Sequence, residues 1–141
     1  MKGTIVKNAL VVGAVLFASA NVASAQGMEI HSRWGDSGTQ IALPADTQCF
    51  NYEATITGGV AAYMIVLDVY HNGVLKEVHT QVVLWPRLQY KYSVPVELGC
   101  WGLATGDTVT FKCRVVGLNL GNLLATHTLT GNVVPPGAPL P

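Results

Sequence analysis

The most constraining feature of this sequence is a two-residue alternation of apolar and polar side chains, which recurs along much of its length. The segment Phe50–Thr57 alternates without a break, and Val109–Val115 does the same. A period of two places every second side chain on one face of a β-strand, whereas a helix needs a period of about 3.6. β-Branched residues are frequent in these segments, and glycines fall between them. The pattern therefore predicts an all-β protein.

Seven segments carry this alternation or a denser apolar pattern. Short strands at such a spacing favour a single β-sandwich of about seven antiparallel strands. Tyr63–His71 is the densest segment, as expected for a central strand buried on both faces. The predicted strands are Met28–Trp34, Phe50–Thr57, Tyr63–His71, Val74–Trp85, Leu88–Leu98, Val109–Val115 and Leu123–Val133.

The first 25 residues have the features of a secretory signal peptide. Lys2 and Lys7 form a basic region, Ala9–Ala20 is apolar, and Ala23-Ser24-Ala25 offers small residues to signal peptidase. We predict cleavage after Ala25 and a secreted or periplasmic bacterial protein. An uncleaved membrane anchor is the alternative, but the apolar run is short for a bilayer. We expect no membrane span in the mature chain.

Residues 26–134 have the length of one domain with one core. The proline-rich end, Pro135–Pro141, cannot pair in a sheet and is predicted to be a flexible tail. Lys and Arg number 8, as do Asp and Glu, and two of the lysines lie in the leader. The mature chain therefore has no basic stripe, which argues against a nucleic-acid partner.

The dipeptide Asn72-Gly73 favours a two-residue type I′ hairpin turn, because both central residues of that turn need a positive φ. The resulting register pairs Leu67 with Val78 and places Asp68 opposite Glu77. A register shifted by one residue would set charged side chains against aliphatic ones. The preferred register predicts one apolar face that contains Ile65, Leu67, Val69, Val74, Val78 and Val82.

The segment Asp107–Cys113 reads Asp-Thr-Val-Thr-Phe-Lys-Cys. It resembles strand F of immunoglobulin domains, whose pattern is Asp-x-Ala-x-Tyr-x-Cys. The resemblance implies an immunoglobulin-like architecture. Phe111 stands where that family carries the tyrosine of its tyrosine corner, so the hydrogen bond of that corner would be missing.

The chain has three cysteines, Cys49, Cys100 and Cys113. An exported protein meets an oxidising compartment, so we expect one disulfide and one thiol. In an immunoglobulin-like sandwich, the start of the second strand and the loop that holds Cys100 lie at the same pole. We predict a Cys49–Cys100 disulfide, with Cys113 buried. The alternative, Cys49–Cys113, is the pair that the immunoglobulin pattern favours.

The tetrapeptide Gly35-Asp36-Ser37-Gly38 resembles the segment around the nucleophilic serine of trypsin-like proteases. Thr39 replaces the glycine that follows in those enzymes, and no matching histidine segment is present. A nucleophilic serine needs a base within hydrogen-bonding reach and a third group to orient that base. We interpret the tetrapeptide as a turn and predict neither catalytic residues nor enzymatic activity.

Metal binding is a weaker hypothesis. In the predicted hairpin, Glu77 and His79 share a face and Asp68 lies across from Glu77, so the three side chains would approach one divalent ion. Ligands on a flat sheet rarely converge, and a solvated charged face is the preferred interpretation. We therefore predict no metal and no cofactor.

The three tryptophans, Trp34, Trp85 and Trp101, each adjoin a glycine or a proline. Aromatic side chains at strand ends either contact a ligand such as a sugar or close the open ends of a sandwich core. We predict an exported, non-catalytic module that binds a protein or glycan or builds an envelope or surface structure. The alternatives are a carbohydrate-binding module and a polymerising, pilus-like subunit with Met28–Trp34 as donor strand.

Overall fold

The computed structural model describes residues 27–59, 61–85 and 88–141. The predicted signal peptide lies outside these ranges. The described residues form eight strands and no helix, so they offer no segment of the length and hydropathy that a helical membrane span requires. The strands are β1 (Glu29–Ser32), β2 (Thr39–Pro44), β3 (Cys49–Thr57), β4 (Tyr63–His71), β5 (Val74–Val83), β6 (Gln89–Glu97), β7 (Thr108–Gly117) and β8 (Leu123–Val134).

The strands form two sheets that enclose one core as a β-sandwich. The smaller sheet has the order β1-β3-β6, and the larger sheet has the order β2-β8-β7-β4-β5. The predicted all-β sandwich is confirmed. It differs from the expected seven antiparallel strands in two respects, because the described residues form eight strands and β2 runs parallel to β8.

The additional strand is β2, whose sequence gives only a weak signal. Ile41 and Leu43 alternate with Gln40 and Ala42, but the segment ends at Pro44, and proline is usually excluded from central strands. An edge position tolerates this proline. Leu43 is fully buried, and β2 approaches β8 closely at a glycine, since a Cβ atom on Gly131 would lie 3.3 Å from Leu43 Cδ2.

The alternating segments form the two inner faces of the sandwich. Phe50, Tyr52, Ala54 and Ile56 are buried on β3, and every second residue from Val109 is buried on β7. The Phe111 ring lies 4.9 Å from the Phe50 ring and 5.9 Å from the Tyr52 ring, centroid to centroid. Phe111, which stands where immunoglobulin domains carry the tyrosine of the tyrosine corner, is therefore part of an aromatic core.

β4 was expected to be buried on both faces, and it is covered mainly on one. Ile65, Leu67 and Val69 are fully buried. On the outer face Val66 is buried as well, whereas Met64, Asp68 and Tyr70 are partly exposed. β7 and β5 flank β4 within its sheet and cover its edges. The outer face is partly exposed because the described residues place no further layer over it.

The predicted turn at Asn72-Gly73 is confirmed, with φ values of 49° and 83°. His71 pairs with Val74 as expected. The predicted register then fails, because β5 has one extra residue, Lys76, between Leu75 and Glu77. This β-bulge shifts the pairing, so that Leu67 lies opposite His79 and Asp68 opposite Val78.

The bulge reverses the expected orientation of the rest of β5. Val78 and Val82 share the outer face with Asp68 and Met64, their partners on β4. They are 53% and 46% exposed, and Val74 is 61% exposed. The prediction of one apolar face for the hairpin is therefore wrong for the valines of β5. It is correct for the predicted β4 residues, Ile65, Leu67 and Val69, which lie in the core.

Candidate functional site

Exposed apolar side chains are concentrated on β5 and on the residues that follow it. Trp85 and Leu88 are 85% and 83% exposed, and Val78 and Val82 are about half exposed. Scattered apolar side chains are normal on protein surfaces, but a group along one strand is typical of an interaction site. We call this group the β5 ridge, and its members are Val74, Leu75, Val78, Val82, Leu84, Trp85 and Leu88.

The β5 ridge lies on a sheet edge. Within the described residues, β5 pairs with β4 along one side, and its other side has no partner strand. Half of the backbone N–H and C=O groups of such a strand point toward solvent and can bind another strand. From Glu77 to Val83, the pairing with β4 runs without a further irregularity.

The other three sheet edges carry features that hinder strand addition. β1 has four residues, β2 ends at Pro44 and β6 contains Pro95. Short strands and proline are common means of protecting an edge, because proline lacks the N–H donor. β5 has ten residues and no proline, so it is the edge best suited to accept another strand.

Asp107 anchors the turn between β4 and β5 to the rest of the domain. Its Oδ2 atom lies 2.8 Å from His71 Nε2 and accepts a hydrogen bond from the Ala104 amide at 3.0 Å. The hydrogen bond with His71 lowers the pKa of Asp107 to about 2. Asn72 Oδ1 accepts a hydrogen bond from the Thr108 amide at 2.9 Å. The start of β5 is therefore fixed to the start of β7.

The three proposed metal ligands do not converge. Glu77 Oε1 lies 2.7 Å from His79 Nε2, so these two residues do share a face. Asp68 points to the opposite face of the sheet, because the bulge pairs it with Val78, and Arg114 donates a hydrogen bond to it at 3.1 Å. Within residues 27–59, 61–85 and 88–141, no group of three His, Cys, Asp or Glu side chains is arranged to hold a metal ion.

The three tryptophans have different surroundings. The ring of Trp34 stacks on Phe50 with a centroid distance of 4.9 Å, and its Nε1 donates a hydrogen bond to the Pro141 carbonyl at 3.3 Å. Trp101 packs against the core and stacks on His71 at 6.1 Å. Trp85 alone among the three is largely exposed, and it belongs to the β5 ridge.

All three cysteines are free thiols in this structure, so it does not contain the predicted Cys49–Cys100 disulfide. Both residues are exposed at one pole of the sandwich, where the amides of Leu98 and Gly99 donate hydrogen bonds to the Gln48 carbonyl. Cys49 lies on the outer face of β3, opposite Glu97, and points away from the core.

Cys113 is fully buried, as the sequence predicts. Its position excludes the alternative pairing with Cys49, because the two side chains point into and away from the core. Burial raises the pKa of the Cys113 thiol to about 12.

Gly35-Asp36-Ser37-Gly38 forms a turn, as the sequence predicts. Ser37 Oγ accepts a hydrogen bond from the Thr128 amide at 3.0 Å, and the Gly38 amide donates one to the Thr128 carbonyl at 2.8 Å. The turn is thus attached to β8. His127, which the sequence did not single out, lies beneath it and is hydrogen-bonded through Nε2 to the Gly35 carbonyl at 2.9 Å.

A concave region lies on the outer face of the smaller sheet. Its volume is about 530 Å³, and it is polar, with charged side chains from β3, β6 and the segment after β1. Two opposite charges are paired, since Arg33 Nη1 lies 3.5 Å from Glu53 Oε2. Its lining includes His31, Arg33, Glu53, Thr55, Lys91 and Ser93.

Sequence reasoning identified Trp85 as a candidate but missed the rest of the β5 ridge. A signal was present in Val82-Val83-Leu84-Trp85, followed by Leu88. Four consecutive apolar residues at the end of a strand cannot all face one core, because successive side chains point to opposite faces. Val83 is buried, and the other three are exposed.

Comparison with known proteins gives distant structural similarity only. The sequence matches no known family and no curated protein. A calcium-binding mutant of Bacteroides uniformis β-glucuronidase 2 matches 74% of this chain, with a TM-score of 0.47 and 11% identity. The chain spans only 13% of that protein's length. A CARDB domain from Pyrococcus furiosus, solved with di-metal ions, matches 77% of this chain over 92% of its own length, with a TM-score of 0.39 and 20% identity.

Proposed function

We propose that this chain is an exported, non-catalytic β-sandwich module that binds another protein chain through the β5 ridge. The observation that carries the proposal is the coincidence of two features on β5. The strand has an open edge in the described structure, and its exposed side chains are mainly apolar. An open edge offers backbone hydrogen bonds, and apolar side chains beside it add burial and specificity, which is the combination used in β-strand addition.

The surface chemistry favours a protein over a glycan as the ligand. The most exposed tryptophan, Trp85, directly follows three apolar residues, Val82–Leu84, and two of these, Val82 and Leu84, are exposed with it on the ridge. Sugar sites combine an aromatic platform with several polar groups that bind hydroxyls. Trp34 and Trp101 pack against the core, which leaves Trp85 without a second aromatic from the predicted set.

We further infer that the sandwich is of the immunoglobulin-like type. The order β1-β3-β6 against β2-β8-β7-β4-β5 supports this inference, because β3 and β7 face each other across the core and correspond to strands B and F. The resemblance of Asp107–Cys113 to strand F falls on β7. The fold by itself does not determine the function.

Site-specific photo-crosslinking in producing cells tests the proposed binding surface. Trp85 is replaced by an aromatic photo-reactive amino acid, and Leu120 is replaced in the same way as a control. Both side chains are 85% exposed, but Leu120 lies in the loop between β7 and β8, and β4 separates β7 from β5 in the sheet. We expect a discrete crosslinked protein product from position 85, none from position 120, and loss of the product when Val82→Lys is added.

Equal crosslinking at the two positions, or none at either, would contradict the proposed binding surface.

N-terminal sequencing of the exported chain tests the compartment in the same samples. We expect it to begin at Gln26. A chain that keeps its leader and stays in the cell would contradict export.

A further inference from the structure

We propose that the partner bound by the β5 ridge is a second copy of this chain, whose β5 strand pairs antiparallel with the first across a two-fold axis at Thr80. The two larger sheets would then form one continuous sheet. This proposal rests on the proposed function, because it names the partner of the same surface. The sequence of β5 and the exposure of its side chains support it.

The regular part of β5, Glu77–Val83, is self-complementary about its central residue. When Thr80 faces Thr80 of the second copy, Val78 faces Val82 of that copy. The outer face of the joint then consists of Val–Val, Thr–Thr and Val–Val pairs. Pairs of β-branched residues directly opposite each other stabilise antiparallel strands. No two like charges face each other in this register.

Two alternative registers, with axes at His79 and at Val78, bring the bulged residue Lys76 into the joint. An axis at His79 places the two histidines opposite each other and leaves Val82 facing Lys76. An axis at Val78 pairs Glu77 with His79, but it draws the bulged residue, Lys76, into the centre of the joint. Bulges disrupt the ladder and twist a strand away from a partner. The Thr80 axis uses the run that is free of this irregularity.

The same register leaves the apolar ends of the ridge beside the joint. β5 pairs regularly only from Glu77 to Val83, so Trp85 and Leu75 lie just outside the paired run, one at each end. Both side chains are exposed in the single chain, at 85% and 49%. A stable interface buries about 800 Å² on each partner, which a strand pair alone does not supply. The apolar side chains at both ends of β5 add to that area.

Light scattering of the secreted chain across a dilution series tests the assembly. We expect a dimer that dissociates on dilution. Val78→Lys and Val82→Lys each set a lysine against valine at two places in the joint, and each should reduce the measured mass to that of a monomer. Leu120→Lys adds the same charge at a site that is more exposed, 85% against 53% for Val78 and 46% for Val82, and should leave the dimer intact.

A double variant tests the register. Val78→Lys combined with Val82→Glu places opposite charges across the axis at both valine pairs. The two positions lie four residues apart on one strand, about 13 Å, so they do not pair within a chain. We expect this variant to regain the dimer that Val78→Lys loses. Circular dichroism and thermal unfolding of each variant, measured in dilute protein, confirm that the monomer remains folded.

The outcomes separate this inference from the proposed function. A wild-type chain that stays monomeric at every concentration, while position 85 crosslinks to a different protein in cells, would overturn the second-copy proposal and leave the binding surface standing. A dimer unaffected by either lysine, or not restored in the double variant, would overturn the Thr80 register. Assembly into long polymers would overturn the closed dimer and favour the pilus-like alternative.

Discussion

His71 Nε2 lies 2.8 Å from Asp107 Oδ2, across the gap between the end of β4 and the residue that precedes β7. The imidazole also stacks on Trp101, with a ring-centroid distance of 6.1 Å. One carboxylate thus connects the β4–β5 turn, β7 and the loop after β6. The contact holds the first residues of the β5 ridge in place.

We expect Asp107 to make the unfolding free energy depend on acid pH. Its pKa is lowered from 3.8 to about 2 in the folded chain, chiefly by the hydrogen bond with His71. A lowered folded-state pKa gives a stabilisation that is complete above the unfolded value and is lost as pH falls from about 4 to about 2. Asp107→Asn should lower the urea midpoint at neutral pH. It should also reduce the fall in unfolding free energy between about pH 4 and about pH 2.

Asp36→Asn serves as the control for Asp107→Asn. Asp36 is an exposed carboxylate in the turn between β1 and β2, and it has no place in the His71 contact. The two variants lose the same charge. If the unfolding free energy falls equally steeply with acid pH in wild type and in Asp107→Asn, Asp107 is not the group responsible for that fall.

The three thiols should differ in reactivity. Cys49 and Cys100 are exposed, whereas Cys113 is fully buried and its pKa is raised to about 12 by burial. Because the thiolate is the reactive form, an alkylating reagent at pH 8 should label two thiols in the native, reduced chain and three after unfolding. Peptide mapping identifies the residues. Rapid native labelling of Cys113 would contradict its burial.

The same labelling, done without a reductant, tests the Cys49–Cys100 pairing in the exported chain. The structure has both residues as free thiols at one pole. Two cysteines that resist labelling until a reductant is added would show that the exported chain forms a bond that this structure does not contain.

Alanine substitution should separate the tryptophans. Trp34 and Trp101 pack against the core, so Trp34→Ala and Trp101→Ala should each lower the unfolding free energy by about 1–3 kcal/mol, less than for a fully buried tryptophan. Trp85→Ala should change it by less than about 0.5 kcal/mol in dilute protein. Urea unfolding measures all three. A glycan array then tests the carbohydrate alternative, in which Trp85→Ala alone would abolish a signal without loss of stability.

Two glycines provide a matched pair for backbone strain. Gly58 and Gly38 have φ values of +86° and +95°. A Cβ atom on Gly58 would overlap the Gly27 carbonyl, whereas one on Gly38 would meet open space. Gly38→Ala should cost about 1–2 kcal/mol from φ alone, and Gly58→Ala should cost clearly more. Equal unfolding midpoints for the two variants would mean that the chain near Gly27 shifts without cost.

Much of the sandwich was predictable because its inner strands follow a simple rule. The alternation in β3 and β7 assigns each side chain to a face, and Asn72-Gly73 fixes a turn. Lys76 shows the limit of that rule. Val74, Val78 and Val82 keep an even spacing whether or not a bulge lies between the first two, so the sequence pattern cannot show which face the last two occupy.

The candidate site was less predictable for the same reason. Its main features are an edge position, which depends on the order of all the strands in the sheet, and a reversed face, which depends on the bulge at Lys76. β2 was missed because its pairing is parallel and its partner, β8, lies about 90 residues later, as the pair Thr39 and Leu129 shows. The aromatic surroundings of Trp34 likewise depend on Phe50, across the sheet.

The parallel pairing of β2 with β8 has a mechanical consequence. These are strands near opposite ends of the chain, joined side by side from Thr39–Leu129 to Pro44–Val134. A tension applied between the N-terminal and C-terminal ends pulls two parallel neighbours in opposite directions along their length. Their hydrogen bonds are then loaded together in shear instead of being opened one at a time. Stretching the chain between its ends would therefore load all the paired residues of β2 and β8 at once.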